Sequence, residues 1–164
     1  MSSIIEQTKE TYGIENWGAD SFGVNRKGNL TVIAPENESL TADVKEIIDD
    51  LRKRGVNTPI LLRFPQLLVG QIRKLQSAFK KSIKEFGYEG GHLCVYPMKV
   101  NQNRAVIEEY LREGSRYNFG LEAGSKAELY AALALEQSDE SLLVLNGFKD
   151  RDFVKLAFAG AAAV

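Results

Sequence analysis

The spacing of apolar positions changes character along the chain, and the changes mark out its elements. Residues 2–12 place Ile4, Ile5 and Thr8 on one side of a short amphipathic helix, with Gly13 to end it. Residues 16–35 read differently. Phe22 and Val24 precede the turn-rich Asn25-Arg26-Lys27-Gly28-Asn29, and Leu30 and Val32 follow, which predicts a β-hairpin. Helical spacing returns at Thr41: Thr41-Ala42-Asp43-Val44 supplies the cap, Val44, Ile47, Ile48 and Leu51 form the stripe, and Gly55 closes it. Pro59-Ile60-Leu61-Leu62-Arg63-Phe64-Pro65 predicts a short strand bounded by prolines. Residues 66–86 predict a long amphipathic helix with Leu67, Ile72, Leu75, Phe79, Ile83 and Phe86 on one stripe. Its Arg73, Lys74, Lys80, Lys81 and Lys84 lie largely elsewhere and read as a solvated face.

Beyond residue 91 a short apolar run gives way to a helical stretch three times over. Leu93-Cys94-Val95-Tyr96 is a buried-type strand, followed by a helix over 103–112 carrying Val106, Ile107, Tyr110 and Leu111. Asn118-Phe119-Gly120-Leu121 leads to a helix over 126–136 that opens on the capping box Ser125-Lys126-Ala127-Glu128. Leu142-Leu143-Val144-Leu145 leads to a helix capped by Asp150 and carrying Phe153, Val154, Leu156 and Ala157. This alternation predicts an α/β fold with a parallel sheet covered by helices, open or closed into a barrel. Ala161-Ala162-Ala163-Val164 ends the chain in or just after the last helix, with no fourth strand. The organisation expected is an N-terminal helix and hairpin segment over 1–38 and the α/β region over 39–164.

Composition removes several classes of function. The 164 residues carry 21 basic and 22 acidic side chains, a net charge of −1, which argues against binding nucleic acid through its phosphates. One cysteine excludes an internal disulfide framework and fits a reducing compartment. One histidine beside one cysteine argues against a Cys/His zinc site, and no metal is expected. Met1-Ser2-Ser3-Ile4-Ile5-Glu6 lacks the basic flank and apolar stretch of a secretory signal. No apolar run approaches the roughly 20 residues that span a bilayer. The expected location is the cytoplasm, with no membrane partner.

In parallel α/β folds ligands bind beyond the carboxyl ends of the strands. Those ends here are polar: Met98-Lys99-Val100-Asn101-Gln102, then Glu122-Ala123-Gly124-Ser125, then Asn146-Gly147-Phe148-Lys149-Asp150. Lys99 stands directly after an apolar strand. A lysine at the mouth of an apolar core loses hydration, which favours the neutral amine, and such an amine forms a Schiff base with an aldehyde. Position alone leaves open the other reading, a solvated lysine at a strand end. Glu122 is either a charge partner or cofactor contact at that site, or a carboxylate favoured by the dipole of the helix that follows. Asn146-Gly147 reads as a turn. The helix start at Gly124-Ser125 offers N–H groups to an anion.

His92, with no second histidine or acidic motif beside it, reads as structural, and Cys94 as a small buried residue. Trp17, with Tyr12 and Phe22, anchors the N-terminal segment. Neither Gly-x-Gly-x-x-Gly nor a Walker A loop occurs, so those routes to nucleotide binding have no support.

Three strings in order, Tyr96-Pro97-Met98-Lys99-Val100-Asn101-Gln102, Gly120-Leu121-Glu122-Ala123-Gly124-Ser125-Lys126-Ala127-Glu128-Leu129 and Asn146-Gly147-Phe148-Lys149-Asp150, resemble the biosynthetic arginine decarboxylases. Tyr12-Gly13-Ile14, Trp17-Gly18, Val24-Asn25, Gly28 and Arg63-Phe64-Pro65-Gln66 agree, so the resemblance runs from about residue 8 to about 158. It implies a pyridoxal-phosphate enzyme of the alanine-racemase-like barrel class. Such enzymes convert L-arginine to agmatine and carbon dioxide in polyamine biosynthesis, on the way to spermidine. The resemblance implies that Lys99 holds the cofactor, and it puts Glu122 in a motif at the barrel mouth.

A (β/α)8 barrel has eight strand–helix units in about 250 residues, and this sequence supplies three. The family's phosphate-binding glycine loop, the acidic partner of the pyridine nitrogen, the ring-stacking histidine and the substrate-binding acids have no counterpart here. The resemblance therefore implies the amino-terminal part of an incomplete TIM-type barrel, inactive by itself, from an enzyme whose intact form is a homo-oligomer. The alternatives are a non-catalytic piece that at most captures pyridoxal phosphate, and a related decarboxylase of ornithine or diaminopimelate.

Overall fold

The computed structural model describes residues 3–162, so the expectations for Met1 and Ser2 and for Ala163 and Val164 lie outside it. The chain divides into two compact units, one up to Gly70 and one from Gln71. The boundary expected at 38/39 falls inside a strand, Asn37–Asp43, because the sequence pattern carried only the first two strands of that sheet.

The first unit opens with α1 (Ile4–Tyr12), whose N-cap Ser3 accepts a hydrogen bond from the Glu6 N–H at 3.2 Å. Gly13, at φ 59°, ends α1 as expected and starts the short α2 (Ile14–Trp17). Trp17 donates its indole N–H to the Tyr12 carbonyl at 3.0 Å and packs on Phe22 with ring centroids 5.1 Å apart, the anchoring role read from sequence. The hairpin follows as β1 (Phe22–Val24) and β2 (Leu30–Ala34), antiparallel with Phe22 opposite Val32. A third antiparallel strand, β3 (Asn37–Asp43), pairs with β2. It was not foreseen, because Asn37-Glu38-Ser39-Leu40 has little β propensity and most of the strand is exposed. Thr41 consequently lies in β3, and α3 (Val44–Lys53) is capped by Asp43, within the expected Thr41–Val44 stretch.

The strand expected over Pro59–Pro65 does not form. Leu61 is largely exposed while Ile60, Leu62 and Phe64 are half-buried, so the segment keeps an extended alternation. Among the described residues no strand offers it a ladder of hydrogen bonds. α4 (Pro65–Glu85) matches the predicted long helix, with Ile72 as its buried residue.

The second unit holds the predicted α/β alternation: β4 (Val95–Pro97), α5 (Arg104–Gly114), β5 (Gly120–Ala123), α6 (Lys126–Leu133), β6 (Leu143–Leu145) and α7 (Arg151–Ala161). The sheet order is β4-β5-β6, all parallel, with Val95 opposite Gly120 and Leu121 opposite Leu143. α6 ends at Leu133 rather than 136, where the Leu135 N–H and the Gln137 side-chain amide both take the Ala132 carbonyl. The core joins Ala123, Leu129 and Phe153, with Leu133, Leu143, Leu145, Leu156 and Ala157 packed around them. A second packing centre uses Tyr110 and Phe119, both buried. Tyr110 donates its hydroxyl to the Cys94 carbonyl at 3.4 Å, and burial holds that hydroxyl protonated well above its ordinary range. Arg73 on α4 is bound by Glu113 on α5 at 2.7 Å.

Candidate active site

Each strand of the parallel sheet delivers one polar side chain at its carboxyl end. β4 stops at Pro97 and the chain enters a 3-10 turn, Met98–Val100. Met98 is buried and pins the turn, while the Lys99 side chain is 62% exposed. Downstream, Tyr96 donates its hydroxyl to the Asn101 carbonyl at 3.1 Å, and Asn103 caps α5 by accepting from the Ala105 N–H at 3.2 Å. The turn carrying Lys99 is thus fixed on both sides.

In β5 alternation decides what faces where. Leu121 and Ala123 are fully buried, and Ala123 sits in the core with α6 and α7. Glu122 lies between them and points to the opposite face of the sheet, with its side chain 19% exposed. Register places Pro97 directly opposite Glu122, so the turn after β4 rises beside that carboxylate. Lys99 Nζ stands 3.9 Å from Glu122 Oε1. Position in sequence left open a lysine stripped of water and a solvated lysine at a strand end. The side chain is mostly exposed and faces a carboxylate, because the 3-10 turn lifts Lys99 past the end of the strand.

β6 contributes Asn146. Its backbone N–H continues the ladder to the Ala123 carbonyl at 2.9 Å, and its side-chain amide donates to Glu122 Oε1 at 3.2 Å. Its Oδ1 accepts from the Gly147 N–H at 2.8 Å, so the expected turn is present. Gly147 has φ 75°, and a Cβ there would overlap the Gly124 carbonyl oxygen, so only glycine fits. The part Asn146 takes against Glu122 was not read from the sequence. The available signal was a third strand end on the same rim, ending in a side chain that both donates and accepts.

Around this cluster the loops are tied to one another. Lys126 at the start of α6 pairs with Asp150 at the start of α7 at 2.7 Å. That hydrogen bond raises the amine and, with the Phe153 N–H, lowers the carboxyl from their ordinary values. The helix start proposed for an anion is already satisfied internally: the Gly124 N–H donates to Glu128 Oε2 at 2.6 Å. The capping box itself is present, with the Glu128 N–H on Ser125 Oγ at 3.2 Å.

His92 is structural in its contacts, stacked on Phe79 at 3.6 Å between centroids, edge-on to Phe119, and bonded through Nδ1 to Gln76. Cys94, just before β4, is half-buried rather than buried. An apolar hollow of about 560 Å³ opens among α6, β6 and α7, walled by Leu129, Leu143, Phe153 and Phe158. Neither Lys99 nor Glu122 lines it, so this hollow and the polar cluster are separate features. Among the described residues no group of three or more His, Cys, Asp or Glu side chains is placed to hold a metal ion, and no helix is long and apolar enough to cross a membrane.

Comparison with known proteins bears on what these side chains serve. The family model described as "Pyridoxal-dependent decarboxylase, pyridoxal binding domain" matches residues 69–163. The biosynthetic arginine decarboxylase of Bacteroides thetaiotaomicron is 44% identical over 153 residues, which are 93% of this chain and 24% of that protein. The protein of the same name from Phocaeicola vulgatus is 42% identical over the same shares. The crystal structure of the biosynthetic arginine decarboxylase of Campylobacter jejuni aligns with a TM-score of 0.82 and 39% identity, over 93% of this chain and 25% of that one. The chain thus spans about a quarter of the length of the relatives it matches.

Proposed function

This chain belongs to the pyridoxal-dependent decarboxylases, and on that footing we propose that it supplies the cofactor-holding lysine of an arginine decarboxylase. The reaction proposed is L-arginine to agmatine and carbon dioxide, within polyamine biosynthesis. The observation that carries the reading is the Lys99 amine, exposed at the carboxyl end of a parallel strand and 3.9 Å from the Glu122 carboxylate.

Pyridoxal phosphate is the cofactor of the domain that residues 69–163 match. The donor set fits it: the group carries an aldehyde, and Lys99 offers an accessible primary amine on a turn held in place by the buried Met98. Lys99 would hold the group through Nζ, and Glu122 would border it. When bound, the group acts as an electron sink for the electron pair left by the departing carboxylate. Nζ, when not engaged, is placed to hold or return a proton on the side facing Glu122 Oε1. The ladder bond between Asn146 and Ala123 keeps the β5 and β6 ends in register under both groups.

Three parallel strands do not enclose a substrate, and the relatives are about four times as long. Decarboxylation is therefore assigned to a polypeptide of the relatives' length, as a homo-oligomer in the cytoplasm. These 164 residues alone are expected to release no carbon dioxide from arginine. The test is to reduce the complete, cofactor-loaded protein with borohydride and map the labelled peptide. Label on Lys99, with agmatine formed from arginine in preference to amine products from ornithine or diaminopimelate, is the expected result. Label on any other lysine overturns the assignment.

A further inference from the structure

The part played by Asn146 goes beyond the turn it makes. Its two side-chain bonds fix the orientation of its amide without ambiguity. Oδ1 must face the Gly147 N–H, which can only donate, and Nδ2 must face Glu122 Oε1, which as a carboxylate only accepts. Turning the amide over would set N–H against N–H and oxygen against carboxylate. The backbone N–H of the same residue is tied to the Ala123 carbonyl at 2.9 Å. Asn146 is thus anchored at two points before it reaches Glu122, and it reaches the same oxygen that Lys99 faces.

We propose that Asn146 is a positioning residue for the reaction at Lys99: its amide holds Glu122 Oε1 where that oxygen meets the amine. The inference rests on Lys99 being the cofactor lysine. Without the amide, the Glu122 carboxylate plane is free to turn about its last torsion, which changes the distance of its oxygens from Nζ. With it, the plane is held with an oxygen toward the amine, and the two partners approach from neighbouring strands.

The test uses the complete protein with pyridoxal phosphate as the probe, and reads the rate of cofactor capture and the pH profile of the lysine-bound cofactor's visible absorption. Asn146→Ser keeps an acceptor at the turn, adds no charge beside Glu122 and is too short to reach it. It is expected to slow capture about three- to tenfold and to displace the pH profile, with a folded protein by circular dichroism. Asn146→Ala, which gives up both side-chain bonds, gives at least the same slowing should N146S fold poorly. In a Glu122→Gln background N146S is expected to add about twofold or less, since both changes remove one interaction. Capture and pH profile like the unsubstituted protein, or equal slowing in both backgrounds, would overturn the proposal. Lys99→Ala separates the two ideas: borohydride label persisting in that variant defeats the reading of Lys99 itself, whatever N146S does.

Discussion

In the antiparallel sheet, Asp43 gathers the side-chain amides of Asn25 and Asn29 at 2.7 and 2.9 Å and caps α3 through the Glu46 N–H. In the parallel sheet, Glu122 gathers Asn146 at 3.2 Å and faces Lys99 at 3.9 Å. Both are carboxylates where a strand ends, each with an asparagine and a lysine nearby, yet they are used differently. Asp43 is consumed by its neighbourhood, since its partners are turn residues and the first turn of the next helix. Hydrogen bonding from Asn29, then from the Glu46 N–H and Asn25, holds its carboxyl below the ordinary value. Glu122 has no helix to cap and no turn to close. Parallel strands require a crossover, so its partners come from other strand–helix units and meet only on the rim. A meander spends its polar strand ends on its own turns, whereas a parallel sheet leaves them available to a ligand.

The sharpest break of this comparison is to remove one lysine from each sheet. Lys99→Ala is expected to abolish borohydride-stable cofactor attachment and to lower decarboxylation in the complete protein by about 10³-fold or more. Lys27, paired with Glu46 at 2.6 Å beside the hairpin turn, is its counterpart. Lys27→Ala is expected to leave both measurements unchanged. Equal losses from the two substitutions would erase the distinction between the sheets.

Next in size is the core beneath the rim. Phe153 is 1% exposed and packs with Ala123 and Leu129 under the strand ends. Phe153→Ala is expected to cost about 3–5 kcal/mol in urea unfolding, as transfer and cavity terms combine. Val32, buried in the antiparallel sheet, is smaller, and Val32→Ala is expected to cost about 1–3 kcal/mol. A larger loss at Val32 than at Phe153 would show that the parallel sheet is not the better-packed of the two.

How much of this was legible in the sequence follows the same division. The parallel unit was read almost complete, because each buried strand is a run of apolar residues and each helix has its own capping signal, such as Ser125 with Glu128 or Asp150. Lys99 and Glu122 were singled out from their places at strand ends, and the structure brings them together. Asn146 was read as part of a polar strand end and as a turn residue, and its bond to Glu122 across the sheet was missed because it leaves no trace in local pattern. In the antiparallel unit β3 escaped notice, because an exposed edge strand with one paired side needs no apolar alternation. Pro59–Pro65 was mistaken for a strand for the converse reason: its alternation is present, but a strand also needs a neighbour to bond.

A smaller effect depends on pH. The Glu113 side chain is 8% exposed, and the hydrogen bond from Arg73, aided by Arg116 and Arg112, lowers its carboxyl from an ordinary 4.5 against the opposing effect of burial. A carboxyl lowered on folding contributes its stability above the unfolded value, and that contribution is lost as pH falls through the folded one. Unfolding followed by a probe in the parallel unit is expected to lose stability below about pH 4.5. Glu113→Gln, which removes the titrating group, is expected to be less stable at neutral pH and flatter on the acid side. An acid limb as steep in E113Q as in the unsubstituted protein would assign that loss to another carboxylate.

The finest test compares the polar devices that start the helices. Ser125 accepts from the Glu128 N–H at 3.2 Å and is the only side chain of its capping box that meets the α6 backbone directly, since Glu128 turns back to the Gly124 N–H instead. Ser125→Ala leaves one N–H of the first turn unsatisfied and is expected to cost about 1 kcal/mol. The loss has a second consequence, because Gly124 packs against Gly147 and the Glu128 carboxylate secures Gly124. Loosening the start of α6 therefore loosens the loop that carries Asn146. S125A is expected to raise amide exchange at Gly124 and Gly147 together, while Asn25→Ala, which removes an equally local device from the hairpin, is expected to leave both amides protected. If exchange at Gly147 stays unchanged in S125A, the two rim loops are held independently, and Asn146 owes its position to the β5–β6 ladder rather than to the start of α6.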